Sequence, residues 1–155
     1  MKEWLSHPWL TVRVQIALGA IFFAAALPKI ADPPSFAHMI YNYRILPAGL
    51  INISALVMPW VELVAGLCLM LGVWVRPARW LVTLMLVVFM VAIAFNLYRG
   101  NAIDCGCFDL SKADLTYEER IRDMWSVLLR DAGMLVLCAQ LWWAERVRAR
   151  DAARL

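Results

Sequence analysis

Four stretches of this chain are long and apolar enough to cross a lipid bilayer, and no other feature limits the possible folds as strongly. A spanning helix needs about 20 mostly apolar residues. It must be a helix because no water is available there to satisfy backbone N–H and C=O groups. The candidate spans cover about 9–27, 55–75, 80–97 and 124–143. The rest of the composition agrees: 63% of the residues are hydrophobic and 17% charged, where soluble domains carry about a quarter charged residues. Eight Trp in 155 residues suit a chain that meets two headgroup interfaces. The net charge of +3 is small and the basic residues are scattered, so nucleic acid is excluded as the expected partner and membrane lipid takes its place. The expected fold is an all-α membrane protein, one four-transmembrane-helix bundle over 1–155.

The first stretch also has the outline of a signal peptide, with Lys2 and Arg13 ahead of Ala24-Ala25-Ala26. The expectation is a retained span, closed by Pro28-Lys29. The links differ in character. Arg76-Pro77-Ala78-Arg79 reads as a tight basic turn between the second and third spans. Between the first and second, Ser35 is placed to cap a short helix, Ser35 to Tyr43, with Phe36, Met39, Ile40 and Tyr43 at helical spacing. That helix is expected to lie in the membrane interface. Thr116-Tyr117-Glu118-Glu119 reads as a capping box, so the last helix is expected to start in water near Tyr117.

With four spans, both termini and the Arg76/Arg79 link share one side. That side carries Lys2, Arg13, Arg76, Arg79, Arg146, Arg148, Arg150 and Arg154; the other carries Lys29, Arg44, Arg99, Lys112, Arg120 and Arg122. The bias predicts cytoplasmic termini. The third link, with Cys105-Gly106-Cys107, then faces outward, which in a bacterium is the periplasmic side of the inner membrane. Disulfides persist there.

Two thiols one residue apart close a disulfide only across a sharp turn, because their α-carbons must come within about 7 Å. Gly106 permits such a turn. A ring that small gains little from loop closure, and strained, exposed disulfides are the labile, oxidising ones. The pair therefore suits thiol–disulfide exchange, with Cys105 and Cys107 as candidate catalytic residues. Arg99 would favour a thiolate and Asp104 would oppose it. Phe108 is expected to tuck the loop onto the membrane surface. The alternatives are a structural disulfide and a metal site; no metal is expected, but copper or zinc would use Cys105, Cys107 and His38.

Glu62, Arg130 and Asp131 fall inside predicted spans, where charges are costly and usually face the bundle interior in pairs. By residue count they lie at similar depth, about 10 Å in, with Lys29 at the outer end of the first span. They form a candidate buried polar cluster beneath the Cys link, either a lock on helix register or a proton relay. Ala65 and Gly66 leave the second span open to close approach on that face. Cys68 and Cys138 lie about 20 Å deep and are expected to act as small apolar residues, a buried relay pair being the alternative.

Several strings resemble one family. Pro59-Trp60-Val61-Glu62-Leu63 followed by Gly66 and Gly72 is similar to the second-helix signature of the MauE/DoxX-like membrane proteins. Leu18-Gly19 with Pro28-Lys29, Tyr43-Arg44-Ile45-Leu46-Pro47 and Leu129-Arg130 resemble their first helix, first loop and last helix. Asn96-Leu97-Tyr98-Arg99-Gly100 followed by Ile103-Asp104-Cys105-Gly106-Cys107-Phe108 resembles the MauE branch, of which Cys-Gly-Cys-Phe is the hallmark. Asp109 and Asp131 depart from the pattern, which often has Gly and Asn there. The resemblance implies a four-helix bundle linked to periplasmic redox maturation. The name-giving members serve the making of methylamine dehydrogenase, whose small subunit is rich in disulfides. DoxX-type relatives occur with quinone chemistry.

The leading expectation is therefore a membrane thiol–disulfide oxidoreductase. Cys105 and Cys107 would exchange with a periplasmic thioredoxin-like or disulfide-containing protein, with quinone as candidate cofactor. The alternatives are a non-enzymatic subunit or assembly factor of a larger membrane redox complex, and copper or zinc handling.

Overall fold

The computed structural model describes residues 7–103 and 116–152. Among these residues there are five helices and no strand: α1 (Pro8–Ala31), α2 (Pro33–Tyr43), α3 (Ala48–Leu71), α4 (Val75–Tyr98) and α5 (Tyr117–Ala152). All but the short α2 are long and apolar enough to span a bilayer. The chain is a multi-pass helical membrane protein.

The helix ends show where local sequence signals were overruled. Pro28 does not close α1, which runs on to Ala31. Its missing N–H removes one helical bond, but the next turn holds through Asp32 N–H donating to the Pro28 carbonyl at 3.1 Å. Asp32, not Ser35, caps α2. Its carboxylate accepts from the Ser35 hydroxyl at 2.6 Å and from the Ser35 N–H at 3.2 Å. These two bonds hold the Asp32 carboxyl below the usual carboxylate range. The expected turn at Arg76–Arg79 is the first helical turn of α4, where Pro77 needs no N–H partner. The actual turn is Gly72-Val73-Trp74. There Gly72 takes a φ of 70° that suits glycine. Gly72 N–H reaches the Leu69 carbonyl and Val73 N–H the Cys68 carbonyl, a Schellman end to α3. At the start of α5, Thr116 N–H and hydroxyl both donate to Glu119, at 2.8 and 2.7 Å. With 36 residues α5 is about 54 Å long, well beyond a hydrocarbon core of about 30 Å.

α1 and α3 pack backbone to backbone. A β-carbon added at Gly19 would sit 2.6 Å from the Gly66 carbonyl oxygen, and one at Gly66 would sit 2.8 Å from that of Gly19. Lipid tails are as apolar as side chains, so helices in a membrane gain by such close approach. Gln15 adds a side-chain bond across the same interface, to the Leu69 carbonyl at 2.7 Å.

The interior forms two apolar layers. One contains Leu18, Phe22, Leu69, Val82, Met134 and Leu141; the other contains Tyr43, Ile93, Ile103, Met124 and Val127. At the far end of the first layer α4 is clamped to α5. Arg79, buried, donates to the Leu141 carbonyl at 3.2 Å, pairs with Glu145 and lies 4.2 Å from the Trp142 ring.

Gly19→Ala is expected to lose about 1–3 kcal/mol of stability, since two backbones must separate. Gly49→Ala, with open space around it, is expected to be neutral or slightly stabilising. Equilibrium unfolding in mixed micelles measures both.

Candidate functional site

The Cys motif itself, Cys105-Gly106-Cys107, and its neighbours Asp104 and Phe108 lie outside the described residues. What frames it is described. α4 ends in a turn at Gly100, with φ 70°, and Asn101 N–H donates back to the Asn96 carbonyl at 3.0 Å. Asn96 is fully buried and bonds the Ala92 carbonyl through Nδ2. Ile103 is buried with Tyr43, Met124 and Val127. Across the gap, Tyr117 hydroxyl donates to the Gly100 carbonyl at 3.3 Å. The described residues on either side of 104–115 therefore lie next to one another, Gly100 against Tyr117. Arg99 lies with its guanidinium 5.3 Å from the ring of the exposed Phe95.

Beneath this end, between the two apolar layers, lies a polar one. The Lys29 ammonium donates to both carboxylate oxygens of Glu62 at 2.8 Å. Their side chains are 9% and 13% exposed, so this is a buried ion pair. Arg130 donates through Nε and a terminal nitrogen to one oxygen of Asp131 at 3.1 Å. Asp131 is 1% exposed. All four side chains line a cavity of about 70 Å³, walled by Phe22, Met58, Met85, Phe89 and Met134. A water needs roughly 10–15 Å³ of such space and several polar partners, so the cavity suits a few ordered waters linking the two pairs.

Lys29 sits in the last turn of α1 and is an integral member of this layer. It also carries α2, because the Phe36 ring sits 5.3 Å from its ammonium. The wall residues Met58, Met85, Phe89 and Met134 did not stand out in the sequence. Two carried a signal: Met58 precedes Glu62 by four and Met134 follows Arg130 by four, each one helical turn away on the same face.

The other candidates lie apart from this layer. His38 is exposed on α2, its ring stacked 6.5 Å from that of Tyr41. Among the described residues no three His, Cys, Asp or Glu side chains are placed to hold a metal. Cys138 is buried with Leu69, Val82 and Leu141, and Cys68 packs against that group. Both are free thiols.

The family model "Methylamine utilisation protein MauE" matches residues 7–144. Relatives that carry the name methylamine utilization protein MauE match it as well. The one from Methylorubrum extorquens is 35% identical over 141 residues, covering 90% of this chain and 72% of the relative. The one from Paracoccus denitrificans is 36% identical over 70% of this chain and 59% of its own length. The one from Methylophilus methylotrophus is 30% identical over 69% and 57%. This chain thus spans under two thirds of the latter two. No solved structure matches it.

Removing one partner of a buried ion pair strands the other. Lys29→Met or Glu62→Leu alone is expected to cost about 3–5 kcal/mol, and the double variant to recover most of that loss. A double-mutant cycle on unfolding in micelles checks it.

Proposed function

The chain belongs to the MauE family, and from that premise we propose that it is a membrane thiol–disulfide exchange protein of methylamine utilisation. Cys105 and Cys107 are its reactive pair, and a thioredoxin-like or disulfide-containing protein outside the cytoplasmic membrane is its partner. The observation that carries this reading is the setting of the motif. Two thiols separated only by Gly106 sit in a segment whose two ends are held together by Tyr117 and Gly100 at 3.3 Å.

The chemistry is a two-electron exchange. A partner thiolate attacks one sulfur of the Cys105–Cys107 disulfide, and the other sulfur leaves as thiolate. The second partner thiolate then attacks the mixed disulfide. The partner ends with a disulfide, the Cys105/Cys107 pair ends as two thiols, and two protons move with the two electrons. Strain in so small a ring favours this direction. The excess of Lys and Arg beside the termini and the α3–α4 turn supports cytoplasmic termini, and so an outward-facing motif. The buried Lys29, Glu62, Arg130 and Asp131 layer beneath the motif offers groups through which protons could pass.

With one cysteine removed, the mixed disulfide cannot resolve. Cys105→Ser and Cys107→Ser are each expressed in the native membrane, quenched with acid and run without reductant. At least one variant is expected to carry a covalent partner that reductant releases, and the double variant none. If neither single variant captures a partner and the wild-type pair never changes redox state, the pair is structural and the assembly-factor reading takes its place.

A further inference from the structure

A second cavity, of about 310 Å³, lies on the α2 side of the Lys29–Glu62 pair. α2 roofs it with Phe36, Met39 and Ile40, while α3 and α4 wall it with Ser54, Met58, Val88 and Ala92. Its lining is apolar apart from the ion pair, Ser54 and Tyr43. A volume near 300 Å³ is the lower end for small-molecule sites, enough for one substituted ring with any long tail left outside in lipid. Lys29 and Glu62 sit together, and Ser54 lies about two turns of α3 from Glu62. Glu62 takes two of the three ammonium donors of Lys29, and among the described residues no other oxygen takes the third. Ser54 adds a hydroxyl. Methionines supply an adaptable wall. Tyr43 lines the cavity and packs in the same cluster as Ile103, the last described residue before the Cys motif.

We propose that this cavity binds the ring of a membrane-dissolved quinone, with a ring carbonyl accepting from Lys29. The assignment rests on the thiol-exchange reading for its role. After a partner has been oxidised, the Cys105/Cys107 dithiol must be reoxidised. The balanced step is dithiol plus quinone giving disulfide plus quinol. One S–S bond forms, two S–H bonds break, and two electrons and two protons pass to the two ring oxygens. The Lys29–Glu62 pair holds the ring and borders the proton-bearing layer with Arg130 and Asp131.

The test uses the full chain in phosphatidylcholine nanodiscs, photolabelled with an azido-ubiquinone and mapped by peptide mass spectrometry. Label is expected on α2, α3 or α4 residues of the cavity wall and is expected to fall at least tenfold with excess decylubiquinone. Met58→Trp, which fills the cavity, is expected to lower labelling about tenfold. Val88→Trp is the second filling variant should Met58→Trp lose helicity by circular dichroism. Label elsewhere, label displaced by excess phospholipid but not by decylubiquinone, or label unchanged in a folded filling variant overturns the site. The single variants Cys105→Ser and Cys107→Ser separate the two readings. If the cavity still labels while neither single variant captures a partner, the quinone site stands without the exchange role. If capture succeeds and the cavity never labels, exchange stands and the site falls.

Discussion

The Lys29–Glu62 ion pair is the interaction on which the arrangement of this bundle turns. Two opposite charges in a low-dielectric interior are tolerable only in contact. Lys29 comes from the last turn of α1 and Glu62 from within α3, so their contact at 2.8 Å sets how far α1 has slid along α3. The Gly19/Gly66 crossing sets how close the two helices come. Together, one charge pair and one pair of glycines leave α1 and α3 a single register. α2 follows from it, because Phe36 rests on the Lys29 ammonium.

That register places polarity as a layer. Arg130 and Asp131 on α5 reach the cavity that Lys29 and Glu62 line, and apolar clusters close it on both sides. The proposed movement of protons uses this polar layer between two apolar ones. The proposed exchange chemistry and the proposed quinone site both use this neighbourhood. The Arg79–Glu145 clamp and the two free thiols belong to the opposite half of the bundle and to its packing.

Much of this was legible in the residues. The four spans followed from hydrophobic length alone, because the bilayer permits one solution for an apolar run of that size. The start of α5 followed from Thr116 and Glu119, a local bond pattern that does not depend on the rest of the fold. Helix ends that depend on neighbours are not legible in the local sequence. Pro28 looked like a stop, but α1 runs one turn further, on to Ala31. Arg76–Arg79 reads as a turn because proline is unfavourable in a helix centre and arginine in lipid. Arg79 is buried inside a helix because Glu145, Leu141 and Trp142 of α5 receive it.

The sequence by itself determined the class of fold, the family, and that Glu62 and Asp131 had to be buried, since each follows from composition, motif or the cost of a charge in lipid. Tertiary structure alone decided the pairing. It joined Lys29 to Glu62 and left Asp131 with its neighbour Arg130, and it opened a cavity beneath α2. Those outcomes depend on helix register and on how three helices leave space between them, and register is set by contacts between residues far apart in the chain.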